Sequence, residues 1–201
     1  EKPKKKRKYK KVKTMKRPPR GESIEKRPAE VDTRETFGHW EGDTVYRKKD
    51  GAKALFVLTE RLTREEIIMR IKDRTAESVI KALDRIERKC GPVLFRKIFR
   101  TITVDNDGEF SDVDRLERSA IRKTLNRTKV YFCHPYSSYE RGSNECQNKM
   151  IRRPFPKGTD FGNVTDAEVA QAERWMNNYP RKILGWKTSE MLFRECVAAL
   201  I

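Results

Sequence analysis

The chain has only two histidines and four cysteines in 201 residues. Cys90, Cys133, Cys146 and Cys196 form no C-x-x-C pair and have no histidine at metal-ligand spacing, which argues against a structural zinc site. Long apolar runs are missing too: a stretch such as Ala54 to Leu58 is far too short to span a bilayer. The first twenty residues lack the apolar segment of a secretory signal, so the cysteines read as reduced thiols of a cytoplasmic protein. Hydrophobic residues make up 36% of the chain, low for a globular protein, against 38% charged. An initiator methionine is also absent, since the chain begins at Glu1, and this suggests a fragment or a processed product.

What is abundant is positive charge, and it is uneven. Residues 1–30 hold 14 Lys/Arg against 4 Asp/Glu, a net +10 of the whole chain's +17. With Pro18, Pro19 and Pro28 interspersed, this stretch cannot bury enough apolar surface to offset chain entropy and is expected to be a basic linker or tail. Its Pro3–Lys8 run also resembles a nuclear import signal, although such runs are common in nucleic-acid-binding tails. Residues 31–201 are expected to form one domain. Basic charge of this density predicts a polyanionic partner, because neutralised phosphates release condensed counterions. Nucleic acid fits; with no apolar anchor beside the charge, a membrane surface does not.

Beyond Val31 the pattern alternates and is β-branched. Strands are expected at His39–Arg47, Ala54–Glu60 and Glu66–Lys72, and the short turns between them favour an antiparallel meander. Thr75 should cap a helix carrying Ala76, Val79, Ile80, Leu83 and Ile86 on one face, ended by Gly91-Pro92. A strand over Thr101–Asp105 can then lie parallel to the first, as a crossover requires. Further expectations are a helix over Asp112–Lys123, a strand over Lys129–His134, a helix over Asn144–Arg153 stopped by Pro154, and a long helix over Asp166–Asn178. The order describes an α/β fold: a five-stranded mixed sheet flanked by helices.

Three acids stand out. Asp43 interrupts a run of strand formers, Asp105 ends T-I-T-V where open α/β sheets place ligand-binding groups, and Glu145 follows an Arg141-Gly142-Ser143 turn beside Asn144 and Asn148, which share its face if a helix starts there. If the first and fourth strands are parallel neighbours, Asp43 and Asp105 lie side by side. Clustered carboxylates require a compensating cation, and hard, oxygen-preferring ions such as Mg²⁺ or Mn²⁺ suit them. Two such ions support in-line displacement at phosphorus. Among 30 Asp and Glu residues, three acids at element edges prove little by spacing alone.

Local sequence says more. G-H-W-E-G-D-T (38–44), T-V-D-N (103–106), P-Y-S-S-Y-E-R-G-S-N-E (135–145), F-P-K-G-T-D-F (155–161) and P-R-K-I-L-G-W-K-T (180–188) together resemble the catalytic core of bacterial insertion-sequence transposases of the DDE type, in the family named after insertion sequence thirty. The resemblance covers roughly residues 28–195. It implies a ribonuclease-H-like fold shared with retroviral integrases, and an acidic triad of Asp43, Asp105 and Glu145 holding two Mg²⁺ or Mn²⁺ ions. It also implies cleavage of element-end DNA and transfer of the freed 3′-hydroxyl to target DNA without a covalent protein–DNA intermediate, by a homo-oligomer assembled on DNA in the bacterial cytoplasm near the nucleoid. Family members usually carry an N-terminal helix-turn-helix region, and none is recognised here. Asp107 stands where the family has a turn glycine, so left-handed backbone is expected there; Cys146 stands for the usual asparagine, and Ser189 for the common proline. The long Asp105–Glu145 interval points to a basic surface insertion near Arg118–Arg127.

Other residues have two readings. Asn106 and Asn144 could orient the acids or serve as ordinary turn and cap groups, and Glu109 reads as supporting rather than catalytic. Arg141, Lys149, Arg152, Arg153 and Lys157 cluster around Glu145 and are expected to contact DNA phosphates. His39 and Glu41 share the strand face of Asp43 but are weaker candidates, and Trp40 and Trp186 read as core anchors. The rival functions are a catalytically silent DNA-binding remnant and a ribonuclease-H-like nuclease on other substrates.

Overall fold

The computed structural model describes residues 21–46, 53–134 and 137–201, with Ser138, Tyr139 and Glu145 described by their backbone alone. The basic run of residues 1–20, the turn at 47–52 and Pro135–Tyr136 lie outside the described residues. In chain order the elements are β1 (Glu22–Ser23), α1 (Glu30–Thr33), β2 (His39–Val45), β3 (Ala54–Glu60), β4 (Glu66–Ile71), α2 (Ala76–Cys90), α3 (Pro92–Ile98), β5 (Thr101–Val104), α4 (Val113–Glu117), β6 (Lys129–Phe132), α5 (Gly142–Ile151), α6 (Asp166–Asn177) and α7 (Ser189–Ala198).

The sheet runs β1-β6-β5-β2-β3-β4. β2, β3 and β4 form the expected antiparallel meander, and β5 pairs parallel with β2. Six strands replace the expected five: Glu22–Ser23 adds an edge pair parallel to β6. That strand lies within the 1–30 stretch counted as linker on its composition. The same stretch sends buried Arg27 to Thr103 Oγ1 at 3.0 Å, so residues from 21 onward are built into the sheet.

Side-chain alternation along β2 divides the molecule into two cores. Trp40 is fully buried, stacks on Phe99 at 4.6 Å and donates Nε1–H to the Ile98 carbonyl at 2.8 Å. It belongs to the layer of Phe56, Leu58, Val79, Leu83 and Phe95 beneath α2 and α3. Val45 faces the other way, with Val57, Ile68, Ile151, Phe161 and Met176 under α5 and α6. α2 begins as expected, with Thr75 Oγ1 accepting from Ser78 N, and ends at Gly91, whose φ of +81° an L side chain would resist. α6 opens with a complete capping box between Thr165 and Glu168.

Several expectations need correction. The helix of Asp112–Lys123 is only Val113–Glu117, because Arg118 turns extended and pairs with Asn126 in an isolated bridge. Buried Glu87 draws this segment inward: its carboxylate accepts from Ser119 Oγ and, at 2.8 Å, from Ala120 N. The Arg118–Arg127 insertion is exposed across residues 121–126, but Arg127 is buried. α3 and α7 were not anticipated; α7 packs Phe193 against Trp40 and Phe37, with centroids 6.0 and 5.5 Å apart. Trp186 is no core anchor. It is 69% exposed at φ +67°, a left-handed conformation that costs a bulky residue about 1–2 kcal/mol.

Candidate active site

The parallel register of β2 and β5 does what the sequence suggested. The rungs His39–Thr101, Trp40–Ile102 and Glu41–Thr103, continued two residues along both segments, bring Asp43 and Asp105 to adjacent positions at the carboxyl edge of β5. Neighbouring strands lie about 4.8 Å apart. A guanidinium joins the two carboxylates: Arg141 donates Nη2–H to Asp105 Oδ2 at 2.8 Å, and its Nη1 lies 3.5 Å from Asp43 Oδ1 while donating to the Gly42 carbonyl at 2.8 Å. Arg141 was expected to meet DNA phosphates. It is instead mostly buried within the carboxylate pair, offsetting their mutual repulsion.

The helix carrying Glu145 is fixed to this edge by groups outside the acidic trio. Glu41, fully buried on the same strand face as Asp43, accepts from Arg61 Nη1 at 2.6 Å and from the backbone N–H of Asn144 at 2.9 Å. The second bond places a carboxylate at the first turn of α5, where free N–H groups and the helix dipole favour negative charge. Asn144 accepts from Thr59 Oγ1 at 2.9 Å. One turn further on, Asn148 donates Nδ2–H to Asp43 Oδ2 at 2.7 Å. Glu145 lies in α5 between these anchors, three residues before Asn148.

The remaining predicted residues divide. Asn106 donates to the Cys133 carbonyl at 2.5 Å, holding the turn after β5 against β6. Glu109 is buried, accepting from Thr44 Oγ1 at 2.5 Å and Arg74 Nη2 at 2.7 Å, so it braces the sheet edge. Asp107 has φ −72° and ψ 161°. The left-handed turn expected there is absent, and the aspartate pairs with Arg74 at 2.9 Å. His39 is buried against Thr101 Oγ1 at 2.8 Å, and burial lowers its pKa to about 4, leaving it neutral. Lys149, Arg153 and Lys157 are exposed, Arg152 half-buried, and none of these four has an acidic partner among the described residues. The Arg153 guanidinium lies 6.0 Å from the Trp175 ring centroid.

The donor set suits a hard cation. Two carboxylates converge with the Asn148 amide, whose Oδ1 is buried without a hydrogen-bond donor. Among the described residues no three His, Cys, Asp or Glu side chains converge as a ready-made ligand group, so Asp43 and Asp105 supply two anionic arms. Burial raises the Asp105 carboxyl to about 6, against the opposing pull of Arg141. The folded chain therefore keeps this proton where the unfolded chain, with an aspartate pKa of about 3.9, has lost it. The resulting stability is full below about pH 4 and is lost as pH rises through 6. Melting temperatures measured from pH 4 to 7 without divalent cations should fall in the native chain relative to Asp105→Asn; a pH-independent difference between the two would contradict this.

Asn148 and Arg141 are the participants that sequence reasoning placed incompletely. Spacing put Asn148 on the face of Glu145, but its link to Asp43 depends on how α5 docks.

The fold and this carboxylate edge define a class: the chain belongs to the integrase core domain family, whose model matches residues 33–138, just over half of the chain. Within it, the chain is similar to insertion-sequence transposases. It is 34% identical over 174 residues to the transposase for insertion sequence element IS4351 of Bacteroides fragilis, covering 87% of this chain and 50% of that protein. It is also 34% identical over 179 residues to the transposase for IS30C of Escherichia coli, covering 89% of this chain and 43% of that protein. The chain thus spans about half the length of the curated relatives it matches. The catalytic core domain of BIV integrase superposes with a TM-score of 0.54 at 16% identity, covering 80% of this chain and 95% of that one. The fold is therefore ribonuclease-H-like. No helix among the described residues is long and apolar enough to cross a membrane.

Proposed function

We propose that this chain is the catalytic core of a DNA transposase that cleaves element ends with Mg²⁺ or Mn²⁺ and transfers the freed 3′-hydroxyl to target DNA. The observation that carries the reading is the juxtaposition of Asp43 and Asp105 at one sheet edge, with the Glu145 helix anchored beside them by Glu41 and Asn148. Two bound divalent cations would activate the attacking oxygen and offset charge on the leaving one. Asp43, Asp105 and Glu145 would hold them, and Asn148 fixes the Asp43 carboxylate in one orientation. Arg141 balances the acids and has a phosphate as its natural alternative partner, since a guanidinium binds either anion through the same fork. No side chain has to act as nucleophile.

Incubating the chain with labelled duplex from the ends of its own element should give cation-dependent nicks bearing 3′-hydroxyls, and joining to a second duplex. No cation-dependent product would overturn the proposal. Lys149, Arg152, Arg153 and Lys157 then form the surface that receives the DNA backbone. Lys149→Ala with Lys157→Ala should weaken duplex binding evenly across sequences and reduce the salt-dependence slope by about 2, measured by anisotropy between 50 and 200 mM salt. An unchanged slope would remove these two lysines from the interface.

One observation favours a second reading, a silent DNA-binding remnant: Arg141 already satisfies both aspartates with an internal cation. Titration with Mn²⁺ separates the two, because a remnant binds no ion through these carboxylates.

A further inference from the structure

The connection between α6 and α7 carries an exposed surface that the carboxylate edge does not use. From Arg174 to Ser189 there are four basic residues, Arg174, Arg181, Lys182 and Lys187, and no acidic one. Trp175, Tyr179, Ile183 and Trp186 are all exposed along it, Ile183 at 72% and Trp186 at 69%. The tip is held in shape by its own backbone. Trp186 N–H donates to the Arg181 carbonyl at 2.9 Å and Arg181 N–H to the Lys187 carbonyl at 3.1 Å, across consecutive left-handed residues at Gly185 and Trp186. Its base is tied to the Glu145 helix, where Arg181 Nη1 donates to Gln147 Oε1 at 3.1 Å. Among the described residues Lys187 pairs only with Glu195, at 3.4 Å and exposed, and Lys182 is exposed.

We infer that this loop is a second DNA contact, one that takes unpaired bases: Trp186, with Ile183 beside it in the loop, stacks on a base displaced from the duplex while Lys182 and Lys187 meet the adjoining phosphates. Charge complementarity and interleaved aromatics select this partner, because every base offers a π-face and a basic surface follows the backbone. An apolar side chain on a rigid tip also suits insertion at an opened base step. The inference rests on the DNA reading above and deepens it by naming the form of DNA bound at this loop.

The test is anisotropy of a fluorescent 20-nucleotide single strand, a blunt duplex of the same length, and that duplex with a single-stranded tail, each against the full chain. Trp186→Ala should weaken binding of the single strand and the tailed duplex roughly tenfold or more, while blunt-duplex affinity stays within about twofold. Trp186→Phe, which keeps a stacking ring, should restore most of the loss. Single-strand binding unchanged in Trp186→Ala, or equal losses on all three DNAs, overturns the inference. So does a Trp186→Ala chain that loses self-association by sedimentation but keeps its single-strand affinity, which would assign the loop to a second copy. A native chain that binds blunt duplex alone also overturns it and leaves the DNA reading standing, whereas one that binds no DNA overturns both.

Discussion

Asp43→Asn, Asp105→Asn and Glu145→Gln should each remove cation-dependent cleavage and joining while the chain stays folded. Each change preserves shape and deletes one anionic oxygen donor. Loss of an outer partner of a metal ligand typically costs about 10–100-fold, so loss of a ligand itself should exceed about 100-fold. The stability readout makes the result specific. Asp105 sits where burial disfavours its charge, so Asp105→Asn should melt no lower than the native chain at pH 7 without divalent cations. An inactive variant that is equally stable has lost chemistry rather than structure. Activity that survives all three substitutions would place the reaction elsewhere.

The second large effect concerns stability. Arg127 and Glu87 are both fully buried, with Arg127 Nη1 3.2 Å from Glu87 Oε2 and 2.6 Å from Asp84 Oδ1. The guanidinium also donates to the carbonyls of Leu116 at 3.0 Å and Arg115 at 3.1 Å. Arg127→Met leaves the Glu87 carboxylate buried without its cation, and breaking such a pair from one side costs about 3–5 kcal/mol. In a domain of this size that lowers the melting temperature by roughly 10 °C. Glu87→Leu added to Arg127→Met removes the stranded charge, so the double variant should be less destabilised than the sum of the singles. A single-variant loss under about 1 kcal/mol by urea titration would show that the pair does not hold the 118–127 segment onto α2.

Much of the architecture was legible because it rests on local rules. Period-two patterning located β2, β3 and β4, Thr75 and Gly91-Pro92 framed α2, and the crossover rule aligned β5 with β2. The adjacency of Asp43 and Asp105 followed from that register. What was hidden depends on partners distant in sequence. Glu41 resembled a spare acid beside Asp43 until α5 docked its first turn onto it. Arg141 looked like a surface cation because nothing local says that two aspartates, 98 and 36 residues earlier, will enclose it. The turn at Asp107 needs no left-handed residue, because it leaves β5 extended and is held by Arg74. Trp186, within the P-R-K-I-L-G-W-K-T block, read as a core anchor, but left-handed backbone at Gly185 and Trp186 leaves the ring exposed.

The central claim is that the Asp43–Asp105 edge, completed by Glu145, is a divalent-cation site for phosphodiester chemistry. Isothermal titration of the chain with Mn²⁺ tests it most directly, because it needs neither the element's ends nor an assembled complex. The account predicts saturable Mn²⁺ binding that is lost or strongly weakened in Asp43→Asn, Asp105→Asn and Glu145→Gln. Absence of binding to the native chain, or binding unaffected by all three substitutions, would contradict it.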